Sequence, residues 1–225
     1  MREHPAGDDA ILLDFSGHAD AAQAAARAAT ALRMAADDGR LTVADVVASA
    51  ETVLVEAFPG SGVNELGVRR VVHDMAVDDG RAADSASTSG DRIVIATVYD
   101  GPDLAAAASI VGCSVDELIR AHTAVLWRVQ FMGFAPGFGY LIPDRSSEIS
   151  DIELLAKIER RSQSRPVVGS GSVAVAAGYS AVYPRESPGG WHLLGRTSRR
   201  MWDSAAVPPA ILSTGSAVRF DRVHA

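Results

Sequence analysis

From residue 165 to the C-terminus the chain is written as RPVVGSGSVAVAAGYSAVYP, WHLLGRT and SAVRFDRV, short β-branched runs with glycine or proline at most corners. Many short strands punctuated in this way predict a closed or nearly closed β-barrel. Upstream, RIVIATVY reads as a strand, SVDELIRAHTA as a short helix opened by a Ser114/Glu117 capping box, and VLWRVQFM as another strand.

The first half has a different texture. AILLDFSG turns Ile11, Leu13 and Phe15 to one face, as a half-buried strand does. The alanine-rich stretch 19–38 reads as a helix carrying Leu32 and Met34 and stopped at Gly39. LTVADVVASAETVLVEAF holds two β-branched runs split at residues 49–51 and reads as paired strands. Val63, Leu66, Val71, Val72 and Met75 then recur at near-helical spacing, giving a β-α-β-β-α layer. Residues 78–91, DDGRAADSASTSGD, are small, acidic and poor in large apolar groups, and are the best linker in the chain. The fold expectation is therefore α+β: a small N-terminal α/β sandwich-type domain over 1–88, then a β-barrel domain over 89–225.

Composition removes several kinds of chemistry. A net charge of −7 argues against nucleic acid, although Arg196, Arg199 and Arg200 cluster locally. Cys113 is the only cysteine, so there is no intrachain disulfide and no cysteine zinc site. The opening MREHPAGDDA lacks the apolar core of a secretory signal and no run approaches a membrane span, so a soluble cytoplasmic protein is expected. Of 21 basic residues only Lys157 is a lysine, and it sits in IELLAKIERR, which reads as a charged helix. Schiff-base chemistry and biotin attachment are disfavoured.

No G-x-S-x-G, H-E-x-x-H, Walker A or acidic calcium loop is present, and the six histidines show no metal-ligand spacing, so no metal is expected. In VVGSGSVAV the alternating Val173 and Val175 mark a strand, not the helix that would cradle a phosphate. Ser172 there has no readable base beside it for a nucleophilic role. His122 follows Leu118 by four residues and so lies on the apolar side of its helix, as a satisfied core or cap histidine or as a catalytic one. Arg165 could clamp a carboxylate through its planar fork, or be a surface arginine.

Two stretches stand out for ring density in a chain only 6% aromatic: GFAPGFGYL (133–141) and YPRESPGGWHLLGRT (183–197). The first carries Phe134, Phe138 and Tyr140 on a backbone stiffened by Pro136, and in the second the glycines let the chain approach something closely beside Trp191. Such loops are costly unless packed or used. A ring-lined groove with Arg185, Arg196 and free backbone groups suits a small polar amide or acid. An apolar seam for a partner protein would look the same.

The blocks YDGPDL, SVDELIRAHT, FMGFAPGFGYL, GSVAVAAG and YPRESPGGWHLLGRT, in this order, resemble the allophanate hydrolase subunit 1 family. That family takes in the B component of bacterial 5-oxoprolinase, Kip-type kinase inhibitors and part of the urea carboxylase carboxyltransferase domain. The resemblance implies a cyclophilin-like barrel and a homologous partner, a subunit 2 or C-type protein, with a third subunit in the oxoprolinase case. It further implies ATP used by the assembled complex, opening of 5-oxoproline to glutamate, and an active site shared between subunits. Amide or carboxyl chemistry on allophanate or urea, and binding to a histidine kinase, are the alternatives it carries. Position by position it carries the family's helix histidine onto His122, its arginine ahead of the G-S-V strand onto Arg165 and its proline-glycine turn onto Pro188 to Trp191. His122 and Arg165 are then the catalytic candidates, and Phe134, Pro136, Phe138, Ser172, Tyr183, Arg185, Gly189, Gly190, Trp191 and Arg196 the candidate substrate contacts. Tyr179 and Ser180 depart from the amide and threonine of many members, and Thr214, Gly215 and Ser216 replace a Pro-Gly-Asp turn.

Overall fold

The structure, a computed structural model, describes residues 1–79 and 92–224. Apart from Asp78 and Asp79, which end a helix, the expected linker lies outside the described residues. The chain divides into two compact units, Met1–Thr88 and Ser89–Ala225.

In the first unit, strands β1 (Arg2–Pro5) and β2 (Ala10–Asp14) precede helix α1 (Ala21–Asp37). Strands β3 (Asp45–Ala48) and β4 (Thr52–Glu56) and helix α2 (Glu65–Asp79) follow. The strands form an antiparallel sheet of order β1-β2-β4-β3, with Ile11 opposite Val55 and Leu13 opposite Val53. Period-two alternation buries Ile11 and Leu13, and Phe15 continues the buried face. Ala25, Ala28, Ala29, Leu32 and Ala35 are buried at helical spacing, their small side chains allowing α1 to lie close. Gly39, at φ 72°, then turns the chain out of the helix.

Three sequence expectations change here. β1, an edge strand, was not anticipated and makes the unit ββαββα. Met34 lies on the exposed side of α1. Leu66 is exposed too, and Val68 takes its place in the buried stripe with Val71 and Val72.

In the second unit β5 (Ile93–Thr97) leads into helices α3 (Leu104–Val111) and α4 (Val115–Ala124). Strands β6 (Trp127–Met132) and β7 (Gly139–Pro143) are followed by helix α5 (Ile149–Ala156). Then come β8 (Arg165–Val168), β9 (Ser172–Ala176) and β10 (Tyr179–Val182). β11 (Ser187–Gly189), β12 (His192–Arg196) and β13 (Ala217–Arg222) complete the unit. Seven strands form one sheet, β12-β9-β10-β7-β6-β13-β5, while β8 and β11 pair separately. Both halves of the expected capping box at Ser114 and Glu117 are formed.

The sheet is nearly closed into a barrel because its outermost strands meet. Beyond β5, the Val98 N–H donates to the Arg196 carbonyl at 2.9 Å and the Arg196 N–H returns to Val98 at 2.8 Å. Two glycines permit this approach: a Cβ on Gly101 would overlap the backbone of Leu193 and Leu194, and one on Gly195 the carbonyl of Val98. The family-like blocks YDGPDL and WHLLGRT are therefore the two lips of the closure seam.

Candidate functional site

Alternation along β9 and β10 sends side chains to two different places. Val173, Val175 and Val182 enter the barrel interior with Trp127, Leu141 and Phe220. Ala174, Ala176 and Ala181 face the other way and form a low floor, over which Phe138, Tyr183, Trp191 and Leu193 gather with Tyr140 and Tyr179 beside them. Small residues beneath large rings leave a hollow on the outer face of the sheet. A cavity of about 410 Å³ lies there, and both ring-bearing stretches line it. Phe134, Phe138 and Tyr140 come from the first, and Tyr183 with residues 188–191 from the second.

The ring contacts are edge-on, the arrangement aromatic quadrupoles favour. Phe138 meets Tyr183 at 5.3 Å between ring centroids and Trp191 at 5.8 Å, and Tyr140 meets Trp191 at 5.7 Å. Behind the wall, Tyr140 stacks on Phe131 at 4.2 Å.

Phe134 has φ 67°, a left-handed conformation that non-glycine residues adopt at a cost, and the residue is 57% exposed at the mouth. Ala177, also at the cavity, has φ 50° for a separate reason. With Gly178 at φ 80° it is the two-residue turn between the paired Ala176 and Tyr179, and type I′ hairpins need φ > 0 at both central positions.

The second stretch is placed by the β8–β11 pair, where Gly189 stands opposite Arg165. Gly189 has no room for a side chain because a Cβ there would overlap the Tyr183 hydroxyl. Gly190 accepts a hydrogen bond from the Arg161 N–H at 2.9 Å. Arg161 and Arg165 both bind the buried carboxylate of Asp103, Arg161 at 2.7 Å, and the Leu193 N–H donates to the other carboxylate oxygen at 2.8 Å. Burial alone would raise the Asp103 pKa; the hydrogen bonds from Arg165 and Leu193 and the charges of Arg165 and Arg161 outweigh it and hold the carboxyl below its usual range. Asp103 occupies the N-cap position of α3 yet makes no capping bond, its oxygens being committed to the arginines.

The sequence-derived residues thus divide. Phe134, Phe138, Tyr183, Gly189, Gly190 and Trp191 line the cavity. Arg165 lies behind the glycine turn on Asp103. Pro136 and Arg185 are exposed and line no part of the cavity, and Ser172 pairs with Arg196 between β9 and β12. Arg196 itself binds Asp100 at 2.9 Å on the closure seam.

His122 is fully buried inside the barrel, against Trp127 and Phe220. Its Nε2 is 2.9 Å from the Ser180 hydroxyl, which reaches the Ala174 carbonyl at 3.3 Å, and its Nδ1 is 2.7 Å from the Tyr99 hydroxyl. One tautomer satisfies every group: Tyr99 donates to Nδ1, Nε2–H donates to Ser180, and Ser180 donates to Ala174. Burial depresses the imidazole pKa to about 3 and raises that of the Tyr99 phenol. Neither ring nitrogen is left to act at the cavity, so of its two sequence readings the geometry fits the satisfied core histidine.

Sequence reasoning missed Arg160 and Ser164, which complete the cavity. The expected helix through IELLAKIERR ends at Ala156, and Ile158 is buried with its carbonyl accepting the Ala177 N–H. After that anchor the two arginines part, Arg160 toward the cavity and Arg161 toward Asp103. Among the described residues no His/Cys/Asp/Glu group could hold a metal ion, and no helix is long and apolar enough to cross a membrane.

Residues 1–212 match the family described as carboxyltransferase domain, subdomain C and D. The B component of 5-oxoprolinase from Escherichia coli O157:H7 is 38% identical over 133 residues, 57% of this chain and 56% of that protein. The Bacillus subtilis protein of the same name is 37% identical over 123 residues, 55% and 48% of the two chains. The chain thus spans about half the length of these curated relatives. The crystal structure of TTHA0988 superposes on 96% of this chain and 40% of its own, with TM-score 0.75 and 27% identity. The urea carboxylase of Kluyveromyces lactis has a TM-score of 0.68 over 99% of this chain and 22% of its own, at 15% identity, a likeness of fold.

Proposed function

The chain belongs to the carboxyltransferase-domain family, subdomains C and D, and from that premise we propose that it is the B-type component of a 5-oxoprolinase-like complex. The assembled complex would open 5-oxoproline to glutamate in the cytoplasm at the expense of ATP, with a homologous C-type partner and a third subunit. The observation that carries this reading is the convergence of two separate ring-bearing stretches on one cavity, in a chain that over 55–57% of its length is 37–38% identical to proteins named as the B component of 5-oxoprolinase.

The cavity is suited to a small flat amide. Edge-on rings give it apolar faces, while Arg160, Ser164 and the bare backbone at Gly189 and Gly190 supply polar groups at its margin. It lacks a catalytic set: among its lining residues there is no carboxylate, histidine or cysteine. A stable lactam needs its carbonyl activated, as by phosphorylation from ATP, and donors around the developing oxyanion. In this reading the chain contributes a wall and anchor, and the partner proteins contribute nucleotide and reacting groups.

Co-expression with the homologous partner and third subunit tests it. Glutamate should appear from 5-oxoproline only with ATP and only with this chain present. A complete, folded complex that releases no glutamate removes the reading, and turnover of allophanate in a parallel assay replaces it.

A further inference from the structure

Three arginines lie within six residues, at 160, 161 and 165, and the fold treats them unequally. Arg161 and Arg165 are both ion-paired with Asp103, a carboxylate only 3% exposed, which offsets one of their two charges. Arg160, beside them, has no acidic partner among the described residues, and no acidic residue lines the cavity it faces. Resting on the reading of that cavity as a substrate site, we propose that Arg160 anchors a carboxylate of the ligand, so that the cavity selects small anionic amides over neutral ones.

The surroundings support this. Burial raises the pKa of the Tyr140 and Tyr183 phenols, and the nearby positive charge of Arg160 opposes it in both, so the guanidinium and two protonated hydroxyls share one region of the cavity. Gly190 gives the fork its place: a Cβ there would stand 3.4 Å from Arg160 Nη2 and 2.9 Å from Ser164 Oγ. A planar guanidinium with phenolic donors alongside matches both oxygens of a carboxylate. Asp103 holds Arg161 and Arg165 and offsets one of their two charges, and of the three arginines only Arg160 lines the cavity, so its place on the wall sets the ligand's orientation.

The test is calorimetric titration of the chain, with its homologous partner where the two co-purify. The probes are 5-oxoproline and 2-pyrrolidinone, the same lactam ring without the carboxylate. Wild type should bind the acid at least tenfold more tightly. Arg160→Met should remove that preference, Arg160→Lys should restore part of it, and Arg200→Met, at an exposed pair with Asp203, should leave it unchanged. Equal affinities in wild type, a preference that persists in Arg160→Met, or no binding of either compound at millimolar concentration overturns the proposal. A preference that depends on Arg160 in a complex that releases no glutamate instead leaves the anion site standing and removes the oxoprolinase reading.

Discussion

His122 Nε2 and Ser180 Oγ are hydrogen-bonded at 2.9 Å in the barrel interior, where a neutral imidazole satisfies every group of the chain through Tyr99, His122, Ser180 and Ala174 and burial disfavours the charged ring. The folded state therefore refuses a proton that the unfolded chain accepts below its ordinary pKa of about 6.5. Stability from this group is fully present above that pH and is lost as pH falls toward the folded value of about 3. The slope is about 1.4 kcal/mol per pH unit, or roughly 2 kcal/mol by pH 5. His192, also depressed by burial, acts in the same direction. Urea midpoints at pH 7 and pH 5 should differ accordingly, and less in His122→Gln; an equal fall in both proteins would remove His122 as the cause.

Closure of the barrel rests on Gly101 and Gly195, where a methyl group would overlap the opposing backbone. Backbone cannot rotate aside as a flexible side chain can, so the seam must open. We expect Gly195→Ala to cost about 3 kcal/mol or more and to lower the melting temperature by several degrees. Gly169→Ala, with nothing within 4 Å of its Cβ, is the control and should stay within about 0.5 kcal/mol. Matching melting curves for the two variants would contradict this account of the seam.

Asp103 holds Arg161 and Arg165, residues 58 and 62 positions away, and through them the glycine turn beside the cavity. Asp103→Asn keeps the shape but leaves two guanidinium groups without their carboxylate. The expected loss is about 3 kcal/mol, the low end for a broken buried pair because both arginines are partly exposed. A double-mutant cycle with Arg165→Met should give a coupling of at least 1 kcal/mol or so; additive effects would show that the pair is not what holds the turn.

What the sequence disclosed and what it withheld follow from the range of the interactions. Val173 and Val175 alternate with Ala174 and Ala176, so a strand was legible, as were the Ser114/Glu117 cap and the ring density of the two loops. Each of these signals lies within a few consecutive residues. Arg160 was not legible, because the helix before it is ended by the burial of Ile158 and the bond from Ala177, a contact across nineteen positions of the chain. Asp103 looks locally like a helix cap, and only the folded barrel brings Arg161 and Arg165 to it. His122 was legible as lying on the apolar face of α4, but its two roles separated only when Tyr99 and Ser180 were seen to take both ring nitrogens.

Phe134 offers the sharpest separation of stability from function. Its backbone at φ 67° costs about 1 kcal/mol in a non-glycine residue, and its ring, in a residue more than half exposed, recovers only part of that through edge contacts with Phe138 at 5.1 Å and Tyr183 at 6.2 Å. Glycine at this position releases the backbone strain and gives up the ring. Two opposing effects of about 1 kcal/mol each leave the net stability of Phe134→Gly within roughly 1 kcal/mol of wild type. The cavity, however, loses the ring at its mouth, and ligand affinity should fall about tenfold, as expected for an aromatic contact worth somewhat more than 1 kcal/mol. Denaturant midpoints and calorimetric titration on the same samples check the two halves. A large loss of stability with unchanged affinity would make Phe134 a packing residue and would leave its left-handed backbone without a functional explanation.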